Sequence, residues 1–462
     1  MSVASVKGLP SVPRVTERDI KIAAWVCFFA WTFAVYDFVL FGDLLPKLAL
    51  TLGWSASKST GVNTWVSVGV ALVAFGVGPL VDRIGRRKGI LVAVVGAAVF
   101  SGVTGLLGFT TGILAGAGVV ILIIVRSIGG LGYSEQAINA TYLNELFAHV
   151  DSANPAESRP RRKMSRGTMY SLVQSGWPVG SVLAAESVTW LFPIGGWRLC
   201  FLVATFPALF IVWAAHYLKE SPQFAIRREA GKLLEEGHDE EAHTLANAGG
   251  VDLTELSAPA VAVFKGRELR TTVAIGTAFF LSWWGVLCFD ILGTSLLNAK
   301  SGKDIAFTST LTILAISNGT AFVGYVFHGW LGGKIGRRNT VAIGWILSGV
   351  SFGLMLLAHN GNYGLIVTLY SAGMFFLIGP YAALLFFNAE SYPTHSRATG
   401  GALINAMGMV GAVVGGLLVT HVLGTGMSWV NTTFWFGCIP ILLSGVVILG
   451  ARNVDPNKVR LF

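Results

Sequence analysis

The chain has 462 residues, of which 53% are hydrophobic and 12% charged, with a formal net charge of +9 and a mean hydropathy of +0.65. Soluble domains carry about 25% charged residues, so this composition excludes a soluble enzyme, a disordered chain and a disulfide scaffold. Twelve helices of about 20 apolar residues use about 240 residues and leave about 220 for loops and tails, which is the arithmetic of a polytopic membrane protein.

In chain order, apolar runs between charge clusters predict spans at 22–45, 60–81, 89–108, 112–135, 167–190 and 199–218, then 271–297, 308–331, 340–358, 364–388, 398–422 and 428–450. The runs are long and continuous and lack the ten-residue alternation of outer-membrane strands, so the fold class is all-α. The predicted organisation is an N-tail (1–21), a six-helix bundle (22–218), a linker (219–270), a second six-helix bundle (271–450) and a C-tail (451–462). The first run is too long for the apolar region of a cleaved leader and is expected to stay inserted. The linker holds Lys232-Leu-Leu-Glu-Glu-Gly-His-Asp-Glu-Glu241 and reads as one or two short helices in water. Cys27, Cys200, Cys288 and Cys438 lie in apolar runs without C-x-x-C spacing, so they read as small buried hydrophobes. No cofactor and no metal site is expected.

About 27 of the 33 Lys and Arg fall in the tails, the linker and the even-numbered loops, against about five in the opposite loops. Positive residues remain on the cytoplasmic side, so both termini are expected there. The basic balance then needs no nucleic-acid partner. Gly78-Pro-Leu-Val-Asp-Arg-Ile-Gly-Arg-Arg87 after span 2 returns as Gly329-Trp-Leu-Gly-Gly-Lys-Ile-Gly-Arg-Arg338 after span 8. The halves therefore repeat in parallel, an arrangement that places a substrate site between them near the midplane.

Residues 78–87 match G-x-x-x-D-R-x-G-R-R, and Arg126-x-x-x-Gly130-x-Gly132 matches a second signature in span 4. With Trp197-Arg198, Lys219-Glu-Ser-Pro222 and Glu390-x-Tyr-Pro-Thr394-x-x-Arg397, the chain resembles the major facilitator superfamily of secondary transporters over nearly its whole length. The resemblance implies a twelve-helix fold and gating charges at the cytoplasmic face: Asp82, Arg83, Arg86 and Arg87 as a latch between halves, and Glu145 with Arg166 and Glu390 with Arg397 as charge relays. The second copy supplies Lys334, Arg337 and Arg338 but has Gly333 at the position of Asp82, which puts an equivalent carboxylate latch in doubt.

Arg126 is predicted near the bilayer centre, where a guanidinium costs about 2.5–3.5 kcal/mol even on a mild insertion scale. Arg cannot shed its proton, so it needs an anion or a wet cavity. Asp37, in Tyr36-Asp37-x-x-x-x-Gly42 of span 1, lies at comparable depth and is its natural partner. The resemblance adds that such a pair is the protonation site and its cationic partner in sugar and aromatic-acid proton symporters. Expected substrate contacts are Tyr36, Arg126, Gln174, Trp177, Trp283, Trp284, Asn318, Tyr325, Tyr381 and Asn405; Asp290 is placed near a span end, with interfacial exposure an equal reading. His328 reads as a structural histidine rather than a relay.

The Gln-Gln pair usual in span 7 of sugar porters is replaced by Trp283-Trp284, and Ala383 stands where their span 10 Trp would be. Span 5 also lacks the G-x-x-x-G-P-x-x-G-G of drug antiporters. The expectation is a monomeric, proton-coupled symporter of a small organic anion, a carboxylate foremost, in the cell membrane, with substrate, protons and the bilayer as its partners. A sugar or polyol symporter is the alternative, ahead of a drug/proton antiporter or a non-transporting sensor. No catalytic constellation of Ser/His or paired carboxylates appears, so an enzyme is not expected.

Overall fold

The computed structural model describes residues 15–106, 117–153, 166–248, 264, 266–392 and 394–453, and these residues form helices joined by turns. Span 1 is Glu17–Leu52, span 2 Ala56–Ile84 and span 3 Arg86–Leu106. Span 4 consists of Gly118–Gly129 and Glu135–Ala153 joined through a 3-10 turn, Gly130–Ser134. Span 5 begins as Arg166–Gln174, breaks at Ser175 and continues in Gly176–Val203. The second half comprises Gly266–Gly285 with a π-helical segment Val286–Ile291 and Gly293–Asn298, then Phe307–Ile335, Arg337–Leu357, Tyr363–Ile378 with Tyr381–Ser391, Thr394–Gly424, and a last span from Trp429 to Val447.

Among the described residues, ten segments are long and apolar enough to cross a bilayer. One of them, Met169–Tyr217, is 49 residues long and holds two spans, because Gly195 and Gly196 leave helical geometry in its interior. Span 2 is a further helix of 29 residues, and its residues 64–81 form an apolar stretch without a charged side chain. With Met169–Tyr217 taken as two and span 2 added, the described residues hold twelve spans.

Local chemistry sets the ends. Thr16 and Asp19 form a reciprocal capping box at the start of span 1, and Ser55 and Ser428 cap spans 2 and 12. The repeated Ile-Gly-Arg-Arg turn has one conformation in both halves, since Gly85 and Gly336 have φ of 97° and 87°. A side chain is strained there, which is why the turn takes glycine twice. Two helices, Pro222–Glu235 and Asp239–Ala248, join the halves and pack on each other through a small apolar cluster of their own.

Span 1 packs along span 5, span 8 along span 5, span 2 along span 11 and span 7 along span 11. Span 1 is the most central, with 78% of its apolar stretch buried. At the face opposite the termini, the far face, the halves touch: Ser57 Oγ donates to the Thr420 carbonyl at 2.9 Å, and the Lys47 ammonium lies 4.7 Å from the Phe307 ring centroid. One apolar core therefore runs through both halves. A second core, towards the termini, belongs to the first half.

The span 4 boundaries differ from the hydropathy reading. The helix continues to Ala153 because Glu135, Asn139 and Tyr142 are buried by neighbouring helices, which an apolar count does not register.

Candidate functional site between the two halves

Arg126 and Asp37 meet. The guanidinium Nη1 lies 3.2 Å from Asp37 Oδ1, and Nη2 donates to the Asp37 carbonyl at 2.9 Å. The rings of Phe41 and Phe201 flank the guanidinium at 5.6 and 5.0 Å, a cation–π environment that offsets part of its desolvation. Both residues are buried, at 4% and 3% exposure, and Arg126 Nε has no partner among the described residues. A small cavity of about 10 Å³ opens beside the pair, bordered by Phe38, Asn63, Ser67, Tyr133 and Ile291. That is about the space a single water needs.

Next to this cavity stands an aromatic wall built from both halves. Tyr133 and Trp177 of the first half meet Trp283 of the second at 5.9 and 6.0 Å between ring centroids, edge to face. Phe38 joins Tyr133 and Trp177 at 5.7 and 6.1 Å. The wall continues into a polar crossing between halves. Trp177 Nε1 donates to Asp290 Oδ2 at 2.7 Å, and Asn318 Nδ2 donates to Asp290 Oδ1 at 3.4 Å.

The expected site residues thus divide. Asp37, Arg126, Trp177, Trp283 and Asn318 converge between the halves. Tyr325 is buried, and Tyr381 is held by Ser282 at 3.1 Å beside Phe279. Tyr36 is buried and does not border the cavity. Gln174 bonds to Gln136 and Asn139 of span 4, beside the buried Glu135. Trp284 packs on Phe280 and Phe436, towards span 12, and Asn405 is half-buried in span 11. Asp290 is 1% exposed rather than interfacial, because the π-helical segment turns it inward. His328 is buried, with Nδ1 2.8 Å from the Gly324 carbonyl, as a structural histidine would be.

Sequence reasoning did not single out Tyr133, which borders the cavity, or the buried Asp43 and Glu135. Tyr133 carried a signal: it lies seven residues after Arg126, a spacing that an uninterrupted helix would place on the same face.

At the face bearing the termini, Arg86 pairs with Glu145 at 2.9 Å, while Glu220 accepts from the backbone N–H groups of Arg86 and Arg87 at 2.9 and 3.3 Å. Arg87 Nε donates to the Ala215 carbonyl. These partners lie within the first half and clamp the ends of spans 2, 3, 4 and 6. In the second copy, Arg338 bonds to the Leu449 and Ala451 carbonyls at the end of span 12, where a cation complements the helix dipole. Arg83 and Lys334 are exposed and Arg337 is half-buried. The side chains of Asp82, Arg166, Glu390 and Arg397 lie outside the described residues. Among the described residues, no group of three His, Cys, Asp or Glu is placed to hold a metal.

Comparison with known proteins supplies the context. The sequence profile described as sugar (and other) transporter matches residues 28–450. The chain is 27% identical over 450 residues to a probable 4-methylmuconolactone transporter of Cupriavidus pinatubonensis, covering 93% of this chain and 90% of that protein. It is 28% identical to a gallate transporter of Pseudomonas putida, covering 89% and 88%. Among solved structures, a D-xylose-proton symporter superposes with a TM-score of 0.64 at 18% identity over 95% of this chain and 99% of that one. Matched by that profile over residues 28–450, the chain belongs to the sugar (and other) transporter family of the major facilitator superfamily and is a membrane transporter, not an enzyme.

Proposed function

We propose that the protein is a proton-coupled symporter that imports a small organic anion, a carboxylate, by alternating access, with Asp37 as the proton site and Arg126 as its switchable partner. The observation that carries this reading is the buried Asp37–Arg126 pair beside the central cavity. Protonating Asp37 cancels one charge and leaves a guanidinium that must find another anion, so proton uptake and anion binding favour each other. The free Nε of Arg126 and the wall of Tyr133, Trp177 and Trp283 support a carboxylate on a flat apolar body. Gallate, named as the cargo of one relative, likewise carries a carboxylate on a flat aromatic ring.

In this reading the face with the termini is cytoplasmic, in keeping with its Lys and Arg excess, the chain works as a monomer in the cell membrane, and the terminal-face clamp of Arg86, Glu145 and Glu220 has a gating role. One proton with one monoanion moves no net charge, so accumulation follows the pH step, about tenfold per unit. The test is uptake into proteoliposomes of a panel of carboxylates and hexoses under an imposed pH gradient. Asp37→Asn is expected to exchange substrate between pools yet fail to accumulate it uphill. Uphill uptake in that variant, or competition by hexoses and not by carboxylates, would overturn the reading.

A further inference from the structure

Asp43 is buried in span 1, six residues beyond Asp37, with 1% exposure and, among the described residues, no hydrogen-bond partner on either carboxylate oxygen. It sits where spans 1 and 7 come closest: Thr294 Oγ1 donates to the Gly42 carbonyl at 2.9 Å, and a Cβ on Gly42 would collide with the Ile291 carbonyl. Asp290, beside Ile291, is near enough to repel it. Asp290 accepts N–H bonds from Trp177 and Asn318 on its two oxygens, the pattern of an ionised carboxylate. Asp43 has no such donors.

The other groups around Asp43 do not supply a counter-charge. Lys47, one turn along span 1, holds its ammonium over the rings of Phe192 and Phe307. Arg126 of span 4 is engaged by Asp37. Lys58 of span 2 lies over Trp54, and Glu186 of span 5 accepts from Trp190. Span 10 adds Tyr370, whose hydroxyl donates to the Phe289 carbonyl. An isolated buried carboxylate neutralises rather than remain charged without a partner.

We propose that Asp43 is a second proton-binding site that gates the far face: spans 1 and 7 close only with a proton on this carboxyl. Opening lets water in, and the O–H bond breaks towards far-side solvent. Phe192 and Phe307 belong to opposite halves, so opening also separates the rings that hold Lys47 and frees its ammonium to pair with Asp43 at i,i+4. Closing reverses each step. The proton enters and leaves on the same side, so it is a gating proton and is not carried across.

The test uses the full-length protein in proteoliposomes, with the four native cysteines replaced and Thr420→Cys as reporter, because Thr420 lies in the far-face contact between spans 2 and 11. Labelling by a membrane-impermeant maleimide is measured from pH 5 to 9 without substrate. Each rate is divided by that of the exposed Lys300→Cys, which removes the thiol's own ionisation. The normalised rate is expected to rise up to tenfold per pH unit, the slope of a one-proton linkage. Asp43→Asn should flatten it to within twofold at the slow, closed value, with Asp43→Ser in its place if the Asn variant does not fold. A flat parent profile, or an unchanged slope in the Asp43 variants, overturns the proposal. Asp37→Asn should keep the slope, and its loss there would assign the gate to Asp37 and overturn the proposal as well. The readout needs no substrate, so its outcome is separate from that of the symport reading.

Discussion

Replacing Trp177 by Phe keeps the ring in the aromatic wall and deletes one N–H, the donor that reaches Asp290 at 2.7 Å across the junction of the halves. A hydrogen bond to a charged acceptor contributes about 1.5–3 kcal/mol. Asn318, the other donor, sits at 3.4 Å and is also tied to the Leu314 carbonyl, so it replaces little of the loss. Trp177 and Asp290 belong to opposite halves, so this bond exists when the halves meet and is absent when they part. Its loss should therefore shift the equilibrium between closed and open far face by roughly ten- to hundredfold towards open. The assay is thiol labelling at Thr420→Cys at fixed pH, with thermal unfolding in detergent as a check that the variant is folded. A change of less than threefold in a folded variant would refute the claim that this contact holds the far face shut.

Gly42→Ala places a methyl against the Ile291 carbonyl, an overpacking worth about 1–3 kcal/mol, and should raise the same labelling rate, whereas Gly53→Ala, where φ is 64° but no atom lies nearby, should change stability and leave labelling unaltered. Glu145→Gln removes the carboxylate that pairs with the buried Arg86 at 2.9 Å and should destabilise the first half by up to about 3 kcal/mol, read as a lower melting temperature. Lys303 donates to the Leu356 and Ala358 carbonyls at the end of span 9, at 2.9 and 2.7 Å, so Lys303→Met should cost about 1–3 kcal/mol by leaving helix-terminal carbonyls unpaired. Burial lowers the Lys303 pKa from 10.5, so just below that value the unfolded chain holds the proton more tightly and stability should rise with pH, a slope that the Met variant abolishes.

Much of the architecture was legible in residue order. Spans appear because about 20 apolar residues are needed to cross hydrocarbon, and the repeated Ile-Gly-Arg-Arg turn marks the same bend in both halves. The Asp37–Arg126 contact was legible for a sharper reason: two opposite charges at similar depth have few other ways to persist in lipid. Span 5 is interrupted at Ser175, within Gln174-Ser-Gly-Trp-Pro178, where small residues and a proline let a helix bend. Asp290 was left open between interface and interior, because a count of residues from a span end gives depth and says nothing about a π-helical segment.

Composition and order thus determined that the chain crosses a membrane, how often, where its halves repeat and which charges had to find each other. Only the tertiary structure decided that Trp177, Trp283, Asn318 and Asp290 share one junction, that Trp284 and Gln174 do not, and that Asp43 sits unpaired at the seam of spans 1 and 7. The physical reason is rotation. Hydropathy fixes how deep a residue lies, while its direction around the helix axis depends on each 3-10 or π-helical interruption along the way, and those are set by packing against helices far away in sequence.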